Sequence, residues 1–262
     1  MQAISSPDLE SNEPRSMKRF FKQRRMRQTV ARHLAEHGGF EFFGRRVATP
    51  PDLRLSIQCQ IADGSYERAE AALIDRYIPR DLPVVELGGC LGLISGYLAA
   101  RLSPDVDLVV VEANPALIDC CRHNATHGGE RQRSQVVHAA IAYGQDHVQF
   151  EVSDNVHVNR VGSAAGGGVR VPTTTLASLL STISTPSGYA LICDIEGHEV
   201  ALLENDAEAL RGCRAAVVEL HPHMYEAMGT SLEKVLALAA GVGLEPVASD
   251  DNVYALVRRP RG

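Results

Sequence analysis

The strongest limit on what this chain can become is the alternation of short apolar runs with helically spaced segments from Gly64 onward. Ser65 is placed to cap a helix through Ala69, Ala72, Leu73 and Tyr77, and Pro79 to Pro83 turn the chain into Val84-Val85. Leu93, Ile94, Tyr97 and Leu98 mark one helical face ahead of the run Leu108 to Val111. Asn114-Pro115 reads as an N-cap and first-turn pair that opens a helix to about His127. Strands are expected at Gln135–Ile141, His147–Val152, Gly168–Val171, Tyr189–Asp194 and Ala215–His221, with helices at Thr174–Leu180, Gly197–Leu210 and Leu232–Ala240. Runs this short, alternating with helices, predict an α/β fold with a mostly parallel sheet covered on both faces. At the end, Leu244–Ala248 and Val253–Val257 flank Ser249-Asp250-Asp251-Asn252, and so short a link requires an antiparallel pair.

With 262 residues and 45% hydrophobic content the chain can bury a full core. The expected organisation is an N-terminal tail and basic helix over residues 1–50, followed by one domain over 51–262. No apolar run reaches the ~18 residues that span a bilayer, and the N-terminus lacks a secretory pattern, so a cytoplasmic protein is expected. The six cysteines form no CxxC pair, which argues against a zinc knuckle or a disulfide scaffold. Residues 14–35 hold eight Lys or Arg and no Asp or Glu, leaving the remainder of a −6 chain at −14. Ser16 to about His37 has the spacing of an irregular amphipathic helix, and its charge suits contact with an anionic membrane surface or a phosphorylated carrier. Nucleic acid is disfavoured, because there is no Trp and no aromatic pattern among the basic residues. Oligomeric state is not readable from these patterns.

The chemistry concentrates at the carboxyl ends of the expected strands. Val84 to Gly92 is a strand running into a glycine turn and a helix. A dinucleotide fingerprint starting at Gly88 needs glycine at positions 90 and 93, which are Cys90 and Leu93. What remains is acidic-x-Gly-x-x-x-Gly, which resembles the pattern that class I methyltransferases place around the amino-acid end of S-adenosylmethionine. On that reading Glu86, Gly88, Gly89, Cys90, Leu91 and Gly92 form the first part of the cofactor site, with the Glu86 carboxylate near the ammonium group. Glu112 ends the next strand, 20 residues after Gly92, where a carboxylate can accept two ribose hydroxyls. Ala113 and Asn114 follow it, and Ala140 ends the third strand where adenine would lie.

Asp194, Glu196, His198 and Glu199 place four ionisable groups within six residues at the end of the fourth strand. Such a concentration is costly at a sheet edge unless a ligand, a metal or solvent uses it. Asp194, Glu196, Gly197 and Glu199 match the Asp-x-Glu-Gly-x-Glu signature of the FkbM family of O-methyltransferases, which the chain resembles from about Gly64 to His223. Gly64-Ser65-Tyr66-Glu67, Glu112-Ala113-Asn114-Pro115 and Val218-Glu219-Leu220-His221 carry the same likeness. Glu86, Cys90 and Ile192 depart from it, since many relatives have Asp, Asn and Lys there.

The resemblance implies a class I, Rossmann-like methyltransferase fold with a C-terminal antiparallel hairpin. It also implies transfer of a methyl group from S-adenosylmethionine to a hydroxyl of a saccharide or other small natural product. Asp194, which could also hold the cofactor, and His198 are the candidate bases. A divalent metal on Asp194, Glu196, His198, Glu219, His221 and His223 is the less favoured reading, because no tight ligand spacing such as HExxH occurs. Were the backbone extended past Pro222, Glu219, His221 and His223 would share a strand face. The rival functions are a nicotinamide-dependent oxidoreductase, opposed by the glycine spacing and the hairpin, and a non-catalytic cofactor-binding module on the same fold. Loops at 38–66 and 153–170 are the expected acceptor-binding segments.

Overall fold

The computed structural model describes residues 15–126, 133–151, 160–162 and 168–259. Its first elements are α1 (Arg15–His37), the two-residue strands β1 (Glu41–Phe42) and β2 (Arg45–Arg46), α2 (Leu55–Asp63) and α3 (Arg68–Tyr77). There follow β3 (Val84–Leu87), α4 (Leu93–Arg101), β4 (Leu108–Glu112), α5 (Ile118–Ala125), β5 (Ser134–His138) and β6 (Ala140–Ile141). Next come β7 (His147–Glu151), β8 (Arg160–Gly162), β9 (Val169–Thr174), α6 (Leu176–Leu180) and β10 (Tyr189–Cys193). The chain continues through α7 (Glu199–Asn205), α8 (Ala207–Leu210), β11 (Cys213–Glu219), α9 (Pro222–Ala227), α10 (Leu232–Gly241), β12 (Leu244–Asp250) and β13 (Val253–Arg258). No helix among the described residues is long and apolar enough to cross a membrane.

Seven strands form the central sheet in the order β12-β13-β11-β10-β3-β4-β5. All neighbours are parallel except β13, which runs antiparallel to both β11 and β12. It is a mostly parallel sheet closed by an antiparallel hairpin, as the alternation of runs and the short final link require. Side chains alternate across it. Val84, Val110, Ile192 and Val217 pack against α2 to α5, whereas Val85, Val111, Leu191 and Val218 pack against α6 to α10. A second sheet, β6-β9-β7-β8, branches off after β5 and buries Val148, Phe150 and Val171.

Several local expectations give way to packing. α2 has no counterpart in the sequence reading; Ile57 and Ile61 bury its inner face against the core, an apolar stripe only two turns long. Ser65 does not cap α3 but bonds to Asp63, and α3 starts at Arg68 after Glu67 turns left-handed. Asn114 accepts from the Ala116 N–H in a turn, so α5 begins only at Ile118. The expected single strand 135–141 breaks after His138, where its second half changes sheets. The expected helix 197–210 is split into α7 and α8 at Asp206. Pro222 begins α9, so the extended backbone ends there and His223 leaves the strand face of Glu219 and His221.

Asp206 has a reason to interrupt that helix. Its buried carboxylate accepts from the Tyr143 hydroxyl at 2.6 Å and from the Leu176 and Ala177 N–H groups at 2.8 and 3.2 Å. It therefore satisfies the first turn of α6 from a neighbouring element and ties in the chain after β6. Asp206→Ala is expected to destabilise the protein by about 2–4 kcal/mol, because it strands the buried Leu176 N–H and the partly buried Ala177 N–H and Tyr143 hydroxyl. Thermal melting followed by circular dichroism measures this, and an unchanged midpoint would show that those donors find other partners.

Candidate active site

The chain leaves β3 toward β4 and β5 on one side and returns to β10 and β11 on the other. The carboxyl ends of β3 and β10 therefore form a switch point, where open α/β sheets leave a ligand crevice. The glycine turn sits there. Gly88 and Gly89 both donate to the Val111 carbonyl at 2.9 Å, which draws the turn across the end of β4. Gly88 has φ 92, and a Cβ on it would fall on the carbonyl oxygen of Asp194. At Gly92 (φ 75) a Cβ would lie 2.6 Å from the Cys121 carbonyl, so α5 presses on the far end of the turn. Neither position tolerates a side chain.

Glu112 holds the turn from the neighbouring strand. Its two oxygens accept from the Cys90 N–H at 2.6 Å and the Asn114 N–H at 2.5 Å. Burial pushes this carboxyl up to about 7 against the opposing effect of those backbone donors. Ala113 packs against the cluster containing Ala140, and its carbonyl meets His138 Nε2 at 3.2 Å. Glu112, Ala113, Asn114 and Ala140 are thus brought to one edge of the switch point.

Glu86 is the carboxylate that the sequence reading sets near the cofactor's ammonium group. It lies beneath the turn, 2% exposed, with Oε2 free of hydrogen bonds among the described residues. Burial pushes its carboxyl up to about 8, with nearby Ser95 offsetting part of the rise. At neutral pH it is mostly a neutral acid.

Beyond Asp194 opens a cleft of about 930 Å³. Glu67 and Glu70 of the α3 start, Asp194 and Glu196 after β10, Glu219 at the end of β11 and His221 just beyond it line it, with exposed Arg68 and His223 at its rim. His221 is the organising group. Its Nδ1 meets Glu199 Oε1 at 3.1 Å, and Glu199 also accepts from the Tyr225 hydroxyl at 3.0 Å and the Gly197 N–H at 3.1 Å. Nε2 faces Asp194 Oδ1 and Glu196 Oε2, each at 3.5 Å. Burial opposes protonation of this imidazole, but the Glu199 hydrogen bond and the charges of Glu199, Asp194 and Glu196 push it up to about 9. Asp194 is shifted upward by burial and then by Glu219, and Glu196 rises to about 7 mainly through burial.

Of the two residues read as bases, Asp194 lines this cleft. His198 is the N-cap residue of α7, is not among the cleft's lining residues, and is shifted downward by burial. The sequence reading missed Tyr225 and Glu70, and it took His221 for no more than an alternative metal ligand. The spacing Glu199, His221, Tyr225 carries no local signal; only the pairing of β10 with β11 joins them. Backbone geometry marks the region independently, since Glu67, Cys90 and Glu196 are three of the five non-glycine residues with positive φ among those described. Most of the expected acceptor loop 153–170 lies outside the described residues.

A family model described as the methyltransferase FkbM domain matches residues 97–243, a span that starts just after the glycine turn. No curated protein sequence matches the chain. Among solved structures, the chain is similar to magnesium protoporphyrin IX methyltransferase from Synechocystis PCC 6803 with bound SAH, at 10% identity and TM-score 0.46, covering 93% of this chain and 99% of that one. Precorrin-6y C5,15-methyltransferase from Geobacter metallireducens GS-15 is similar at 13% identity and TM-score 0.44, over 82% and 94%. The pyocyanin biosynthetic protein PhzM is similar at 14% identity and TM-score 0.41, over 80% of this chain but only 59% of its own length.

Glu86 gives a pH test. A carboxyl at about 8 in the folded state and near 4.5 unfolded binds its proton more tightly when folded. Its contribution is therefore fully present below pH 4.5 and is lost as pH rises through 8. Relative to Glu86→Gln, the wild-type protein should lose stability between about pH 5 and 8 by roughly 1.4 kcal/mol per unit. Urea unfolding at several pH values measures it, and parallel curves would show that Glu86 is not held neutral.

Proposed function

Because the chain belongs to the FkbM methyltransferase family, an S-adenosylmethionine-dependent class of enzyme, we propose that it methylates a hydroxyl of a saccharide or another small natural product. The observation that carries this reading is the contact of Gly88 with the Asp194 carbonyl, which sets the glycine turn and the acidic cleft side by side. S-adenosylmethionine, when bound, supplies a methyl carbon made electrophilic by a sulfonium.

The chain's residues suit that nucleoside. Gly88, Gly89, Cys90, Leu91 and Gly92 border its amino-acid end, and Asp194 stands across the turn. Glu112 takes the ribose hydroxyls with the lone pairs that its two backbone bonds leave free. Ala113 and Ala140 are small and apolar, as a flat adenine ring requires.

The acceptor enters from the cleft, whose carboxylates suit a ligand rich in hydroxyl donors. In-line transfer needs the acceptor oxygen fixed opposite the sulfur, and its proton must leave as the new bond forms. The proton passes into the cluster of Asp194, Glu196 and His221. His221, anchored by Glu199 and Tyr225, positions the accepting carboxylates, and His198 of the sequence reading has no part in the cleft.

Two variants test the halves separately. Glu112→Ala is expected to weaken binding of S-adenosylhomocysteine ~10- to 100-fold, or ~1.5–3 kcal/mol, in isothermal titration. An unchanged dissociation constant removes Glu112 from the site. Asp194→Asn is expected to abolish turnover of a labelled methyl donor in an acceptor pool while binding of S-adenosylhomocysteine persists; full activity would place the reacting hydroxyl elsewhere.

A further inference from the structure

The acidic cleft holds more negative charge than proton transfer requires. Six carboxyl groups line it, Asp251 at its edge among them, and the basic side chains lining it are His221 and the exposed Arg68 and His223. Two of the acids lack the partners that burial demands. Glu67 Oε2 and Asp194 Oδ1 are each buried with no hydrogen bond among the described residues. Unsatisfied buried carboxyl oxygens are costly unless a donor or a cation meets them.

The spacing of the central groups says which. One oxygen each of Asp194 and Glu219 and one nitrogen of His221 lie within 4.8 Å of one another. The 3.5 Å from His221 Nε2 to Asp194 Oδ1 is too long for a strong charge-assisted hydrogen bond, which runs about 2.7–2.9 Å. It suits two ligands of one ion, since metal bonds of about 2.0–2.2 Å at angles of 90–110° separate ligand atoms by about 3–3.5 Å. The far nitrogen of the same ring is fixed by Glu199, and Glu199 by Tyr225, the outer hydrogen bonding that orients metal-bound histidines. An organic ammonium is the weaker occupant, because the imidazole nitrogen gives it a single hydrogen bond, whereas the same lone pair bonds a metal ion directly and does so in place of a proton.

We propose that the cleft binds one divalent cation through Asp194, Glu219 and His221. Two carboxylates and an imidazole make a mixed oxygen and nitrogen donor set suited to manganese or zinc and usable by magnesium. Glu70 and Glu196 remain to hold the ion's waters or the acceptor. Binding of the ion stands apart from methyl transfer. Its use there, lowering the pKa of a coordinated acceptor hydroxyl, rests on the function proposed above.

The test uses the full chain stripped with EDTA and dialysed, titrated with manganese chloride and followed by electron paramagnetic resonance. One saturable site per chain is expected, with magnesium or zinc competing for it. Glu219→Gln and His221→Asn should each weaken manganese binding at least tenfold, with the circular dichroism spectrum and S-adenosylhomocysteine affinity unchanged. Glu226→Gln, outside the cleft, should bind like the wild type. Absence of a saturable site, binding unaffected by both cleft variants, or stabilisation by glucosamine but not by manganese would overturn the proposal. Manganese binding without any S-adenosylhomocysteine binding would instead overturn the cofactor reading and leave the ion site standing.

Discussion

The contact between Gly88 and the Asp194 carbonyl is the constraint on which the rest of this architecture depends. β3 and β10 pair in parallel from Val84 with Ala190 to Leu87 with Cys193, so their carboxyl ends emerge side by side. Without a Cβ at Gly88 the two chains continue in contact past the last ladder bond, where the Asp194 N–H still donates to the Leu87 carbonyl at 2.9 Å. The sheet alone would bring the strands together, but glycine brings their tips together. Everything chemical in the protein is arranged around that junction: Glu112 and the turn on one side, the carboxylates and His221 on the other.

Electrostatics divides the two sides. At the turn, burial dominates, and Glu86 and Glu112 both move toward neutrality. In the cleft the same burial acts on Asp194 and Glu196, but a buried imidazole sits among them and Glu199 stays below its ordinary value because His221 bonds to it. A chain of Tyr225, Glu199 and His221 thus carries charge into the interior in a paired form, while Asp194 Oδ1 and Glu67 Oε2 stay unpartnered among the described residues. That contrast separates a structural ion pair from a site built to receive something.

Much of the fold was legible because it follows from period and length. Runs such as Leu108–Val111 are too short for helices and too apolar for a sheet with an exposed face, so the parallel core followed. The four-residue link at Ser249–Asn252 forced the hairpin. The glycine spacing after Glu86 excluded one nucleotide and admitted another. What escaped lacks a local signature. α2 buries only Ile57 and Ile61 of its nine residues, and α9 opens on Pro222 only three residues after β11 ends. His221 looked like one histidine among ten, because its meaning comes from a glutamate 22 residues earlier and a tyrosine four residues later. The burial of Glu86 escaped for a related reason: sequence gives its charge but not the depth at which it sits.

The position of β13 has a consequence of a different kind. Although it comes last in the described chain, it lies inside the sheet, between β11 and β12. During synthesis, β11 therefore emerges with its outer hydrogen-bonding edge bare, and it stays bare for more than thirty residues until Val253 and its successors arrive. That edge, Ala215-Ala216-Val217-Val218, is apolar on both faces, the kind of surface that recruits strands from other nascent chains. The hairpin that closes the enzyme's sheet is thus also the step that covers this edge.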